Sequence, residues 1–75
     1  MNQRIVFNDD YTFDTQQELW RSTALISGEI ITIYFHSILL KKMKGINTCT
    51  KFDLEELVEF WLEKNELQGN KIHIP

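Results

Sequence analysis

The sequence predicts an α+β fold: a small antiparallel β-sheet, made of a β-hairpin core plus N- and C-terminal strands, with two helices packed on one face. Three observations carry this expectation. Two β-compatible runs, 18–26 and 29–35, are separated only by Ser27-Gly28, and a two-residue loop with Gly second suits a tight hairpin, because Gly accepts positive φ without a Cβ clash. Between 53 and 67, apolar residues recur at helical spacing behind an Asp. The chain has 75 residues, 43% apolar and 25% charged, with three Gly and one Pro, which fits a single small domain (1–75) and excludes collagen-like, low-complexity and disordered chains.

The elements follow in order. Ile5-Val6-Phe7 is a short β-rich run, closed by the turn formers Asn8-Asp9-Asp10. Tyr11, Phe13 and Asp14 then lie in a polar connection, read as a loop with anchored aromatics. In the hairpin, a two-residue loop sets Ile26 opposite Glu29, Ala24 opposite Ile31, Ser22 opposite Ile33 and Trp20 opposite Phe35. That face, with Trp20, Ala24, Ile31, Ile33 and Phe35, is expected to meet the core. The other face mixes Leu19, Leu25, Ile30 and Tyr34 with Thr and Arg, and a one-residue slip of register exchanges the two.

Residues 37–44 read as a short helix ending at Gly45, with Lys41, Lys42 and Lys44 in its last turns, where cations offset the helix dipole. Residues 46–50 read as a loop. The second helix, 53–67, is expected to start at an Asp53 N-cap, with Glu56 completing a capping box and Phe52 and Leu57 placed for a hydrophobic staple. Leu54, Leu57, Val58 and Trp61 form its apolar stripe, widened by Leu62, while Glu55, Glu56, Glu59, Glu63 and Glu66 fall on the opposite arc. Gln68-Gly69-Asn70 stops it. Residues 71–75 form a last short strand with Ile72 and Ile74 on one side.

Short segments in this order resemble a known family. They are Ile5-x-Phe7, Phe13-Asp14, Ala24-Leu25-x-x-Gly28, the helix start Phe52-Asp53-Leu54-Glu55-Glu56, and the terminal Ile72-x-Ile74-Pro75. Together they resemble the small bacterial proteins grouped as domain of unknown function 1488, the YrdB-like proteins. The likeness runs without a gap from Ile5 to Gly45 and resumes at Phe52. Between the two stretches this chain is shorter than that family's usual pattern by roughly two helical turns. The resemblance implies a compact α+β fold and supplies no activity, cofactor or site residue.

Charge is segregated. The net charge is −3, which disfavours wholesale binding to nucleic acid or an anionic membrane. Residues 1–40 hold two bases and five acids, residues 41–52 hold Lys41, Lys42, Lys44 and Lys51 with no acid, and residues 53–75 hold six acids and two bases. The start of the chain does not read as a secretory leader. The most apolar stretch, 30–40, is too short for a bilayer, which needs about 20 residues. The single Cys49 excludes an intramolecular disulfide framework and suits a cytoplasmic setting.

Weighed against these limits, no constellation reads as catalytic. An outward acidic helix face lacks the burial that shifts a pKa and the converging ligands that a metal needs. The four lysines have no interleaved aromatic to stack a base and no glycine-rich cradle. His36, His73 and Cys49 form no ligand-spaced motif. The leading expectation is a non-catalytic protein-interaction or oligomerisation module, with no cofactor, no metal and no membrane contact. Its candidate partner surface is Leu19, Leu25, Ile30 and Tyr34 on the open sheet face, with Glu55, Glu59 and Glu63 on the acidic arc. The alternative is a small regulator contacting nucleic acid through Lys41, Lys42, Lys44 and Lys51. Catalysis by Glu, His or Cys49 in a pocket between sheet and helices comes third.

Overall fold

The computed structural model describes residues 4–75, so Met1 to Gln3, on which the reading of the chain start partly rests, lie outside the described residues. Five strands and two helices follow as β1 (Ile5–Phe7), β2 (Thr12–Asp14), β3 (Leu19–Ile26), β4 (Glu29–Phe35), α1 (Ile38–Lys41), α2 (Thr48–Lys64) and β5 (Lys71–Ile74). They form one sheet in the order β1-β3-β4-β5, with β2 also paired to β3. The architecture is α+β, as expected.

The hairpin pairs in the expected register, from Ile26 opposite Glu29 to Trp20 opposite Phe35. Its turn holds Ser27 at φ 52° and Gly28 at φ 84°, the double positive-φ arrangement whose twist matches the flanking strands. Trp20, Ala24, Ile31, Ile33 and Phe35 are all buried on the helix side, as the alternation requires. Leu40, Leu54, Val58, Ile72 and Ile74 complete the core, with Trp61 and Leu62 packed against its rim.

Several finer expectations are corrected. The sheet is mixed, because β5 runs parallel to β4, Ile33 facing Ile72 and Phe35 facing Ile74. The reason is the connection: both helices lie between β4 and β5, and such a crossover returns the chain in the same direction. Phe13 and Asp14 belong to a strand, not a loop; Phe13 pairs with Trp20 and meets its ring edge-on at 5.6 Å. Glu18, read into the hairpin, instead closes the β2–β3 turn at φ 57°. In that turn the Asp14 carboxylate accepts the backbone N–H groups of Gln16 and Gln17 at 2.9 and 3.1 Å.

The helix limits also move. α1 is a single turn, shorter than 37–44: Ser37 makes no side-chain cap and, of its residues, only Leu40 is buried. It is held by Trp20, whose indole N–H donates to the Leu40 carbonyl at 2.8 Å from inside the core. α2 starts at Thr48, upstream of the expected Asp53 cap. Asn47 is its N-cap, its Oδ1 accepting the Thr50 N–H at 2.8 Å, so neither the Asp53 box nor the Phe52 staple caps it. Thr48, Cys49 and Thr50 are weak helix formers, which is why this first turn reads as a loop. At the other end, Asn65 turns to extended backbone and donates from both its backbone and side-chain nitrogens to the Trp61 carbonyl, so Glu66 and Leu67 lie beyond the helix.

The longer helix is rotated slightly from the expected stripe. Leu54 and Val58 are buried, Trp61 is only half-buried, and Leu57 stands 47% exposed. Leu54→Ala is therefore expected to cost about 2–5 kcal/mol, and Leu57→Ala less than about 1 kcal/mol. Urea unfolding of both variants checks this; equal losses would place Leu57 back in the core.

Candidate functional site

The outer face of the sheet is the side that no helix covers. Strand alternation sends Val6, Leu25 and Ile30 to it, and register makes them neighbours: Val6 faces Leu25 across β1–β3, and Leu25 faces Ile30 across β3–β4. They are 50%, 37% and 66% exposed, so they form one apolar row across three strands. Leu25 and Ile30 were expected here from the hairpin; Val6 was not, although its place between inward Ile5 and Phe7 is a period-two signal. Leu19 is corrected: it is buried at 6% exposure and offers no open surface. It sits where β2 joins β3, opposite Asp14, and the extra strand was not foreseen.

Tyr34 is half-buried, and its ring stacks on His73 of β5 at 5.1 Å with 15° between the planes. His73 Nδ1 lies 2.8 Å from His36 Nε2, so one ring donates and the other accepts. The parallel pairing of β5 thus brings together two histidines that lie far apart in the sequence and carry no ligand spacing there. Only the register of β5, which the sequence leaves open, signals this contact. Among the described residues, no group of three or more His, Cys, Asp or Glu side chains is placed to hold a metal ion. Cys49 is exposed in the first turn of α2.

The fold treats the members of the acidic arc and of the basic link unequally. Glu59 and Glu63 are exposed, whereas Glu55 is half-buried on the flank that faces Tyr11. Burial, with the Glu55 and Asp9 carboxylates nearby, pushes the Tyr11 phenol up to about 12. Lys51 turns away from the other lysines: its ammonium pairs with Asp9 at 2.8 Å and lies 5.9 Å from the centre of the Tyr11 ring. Lys41, Lys42 and Lys44 remain exposed around the end of α1.

Beside α1 an apolar groove of about 290 Å³ opens between Leu39, Leu40 and Met43 on one side and Thr50, Asp53 and Leu57 on the other. Ile38 and Leu39 of α1 are both largely exposed. The sequence does not reveal these two, because an apolar pair in a predicted helix reads as core.

One solved structure that the chain is similar to is a protein of unknown function from the DUF1488 family of Shewanella loihica PV-4. The two are 27% identical, with a TM-score of 0.71, over 99% of this chain and 94% of that one. This likeness supports assignment of the chain to the domain of unknown function 1488 family. No family model and no curated protein matches it. The likeness also supports the α+β fold and carries no ligand or reaction. Among the described residues, no helix is long and apolar enough to cross a membrane.

Asp10 anchors the connection between β1 and β2 to Thr23 of β3. Burial works against its charged form, but the hydrogen bonds from Thr23 outweigh it and hold the carboxyl below its ordinary value. Its two oxygens accept the Thr23 backbone N–H at 2.7 Å and the Thr23 hydroxyl at 2.6 Å. A lowered folded-state pKa stabilises the protein above the unfolded value of about 3.9 and is lost as pH falls through the folded one. Asp10→Asn is expected to be less stable than wild type at neutral pH, with the gap closing below about pH 4. Urea titrations across that range check it; a gap independent of pH would contradict the assignment.

Proposed function

We propose that this protein is a non-catalytic, cytoplasmic protein-interaction or oligomerisation module. The observation that carries the reading is the Val6–Leu25–Ile30 row, three large apolar side chains adjacent on an uncovered sheet face. Exposed apolar residues scattered singly are ordinary, but a contiguous row gains free energy when another chain covers it. Ile38 and Leu39 of α1 add a second uncovered surface on the helix side. The exposed Cys49 thiol suits a reducing compartment. The raised Tyr11 phenol stays protonated at neutral pH and so does not act as a base there.

The test is capture of binding chains from native lysate by wild type and by Leu25→Glu/Ile30→Glu, both exposed positions where charge leaves the core intact. A chain retained by wild type and lost by the double variant is the expected result. Equal retention by both, or no retained chain together with a wild type that stays monomeric, would overturn the reading. Steeply salt-dependent RNA binding, lost when Lys41, Lys42 and Lys44 become Glu, would replace it with nucleic-acid contact.

A further inference from the structure

One exposed stripe of α2 is complementary to itself. Asp53, Leu57, Phe60 and Lys64 stand at intervals of four, three and four residues, which places them along a single helix face. All four are exposed, Leu57 and Phe60 each by about half or more of their surface. The stripe reads acid, apolar, apolar, base, and its spacing is symmetric about its centre. Turned end over end, it presents a base to its acid and an aromatic ring to its leucine.

We infer that this stripe is the interface of a two-fold dimer, in which α2 packs antiparallel against α2 of a second copy of this chain. The inference rests on the interaction-module reading and names the occupant of the helix side. In the antiparallel arrangement, Asp53 of each copy meets Lys64 of the other, and Leu57 of each meets Phe60 of the other. The same residues on both copies form the contact, as a two-fold interface requires. A parallel pairing sets Asp53 against Asp53 and Lys64 against Lys64, so like charges exclude it. Leu57 and Asp53 also line the groove beside α1, which gives the incoming Phe60 ring an apolar wall. Lys64 already lies over Phe60 of its own copy, 5.3 Å from the ring centre, so its ammonium is poised at the rim of the stripe. Apolar groups at the centre with charges at the ends are the usual layout of a protein interface. Glu56 and Glu63 flank the stripe on its water side, where solvent screens them.

Charge reversal tests the arrangement with two single variants, Asp53→Lys and Lys64→Glu. Sedimentation velocity over a range of concentrations is expected to show a wild-type dimer and each variant alone as a monomer. An equimolar mixture of the two variants is expected to dimerise again, because both end pairs then join opposite charges. Phe60→Glu is expected to be monomeric and still cooperatively folded, with a melt that no longer depends on protein concentration, since the side chain is exposed. A monomeric wild type at the highest concentration, a Phe60→Glu dimer, or a mixture that stays monomeric would overturn the inference. Any of these leaves lysate capture through Leu25 and Ile30 intact, so failure here is distinguishable from failure of the interaction reading.

Discussion

The register of β3 against β4 is the constraint on which the remaining structure depends. The Ser27-Gly28 turn sets it, with two successive residues at positive φ. Because side chains alternate along a strand, that one choice sends Trp20, Ala24, Ile31, Ile33 and Phe35 inward and leaves Leu25, Ile30 and Tyr34 on the other face. Both outer strands then inherit their faces from the hairpin. On one side, Ile5 and Phe7 turn inward beside Ile26 and Ala24. On the other, Ile72 and Ile74 turn inward beside Ile33 and Phe35.

The helices are secured to this platform by unlike means. α1 is too short to be stable by itself, and an indole hydrogen bond from the sheet binds its Leu40 carbonyl. α2 is long enough to bury Leu54 and Val58, and Asn47 satisfies an N–H in its first turn. Its N-terminal end is tied to the β1–β2 connection through Lys51, Asp9 and Tyr11. That connection has its own anchor. Where the edge ladder breaks between Phe7 and Thr12, the Asp10 carboxylate takes the Thr23 N–H that an unbroken strand would have bonded.

These same constraints distribute the surface chemistry. The salt bridge to Asp9 removes Lys51 from the run of lysines, and Glu55, though one turn from Glu59 on the same helix face, is half-buried on the flank toward Tyr11. The basic run thus loses Lys51, while the acidic arc keeps its helix face with Glu55 less exposed than Glu59 and Glu63. The fold also leaves apolar groups uncovered: the cross-strand row on the sheet and the helix-side residues around Leu39, Leu57 and Phe60.

Much of the fold was legible in the sequence because its signals are local. Strand alternation and the Ser-Gly turn are enough for the hairpin, its register and its inner face, and apolar spacing is enough to locate a second helix and a last strand. The helix start at Asn47 was not legible, because weak formers occupy its first turn and a plausible Asp cap follows within reach. The candidate surface was legible only in part: Leu25 and Ile30 follow from hairpin parity, whereas Val6, the buried Leu19 and the His36–His73 contact depend on which strands lie side by side. Pairing between segments distant in the chain is decided by shared burial, and a linear pattern carries no record of the neighbour it will meet.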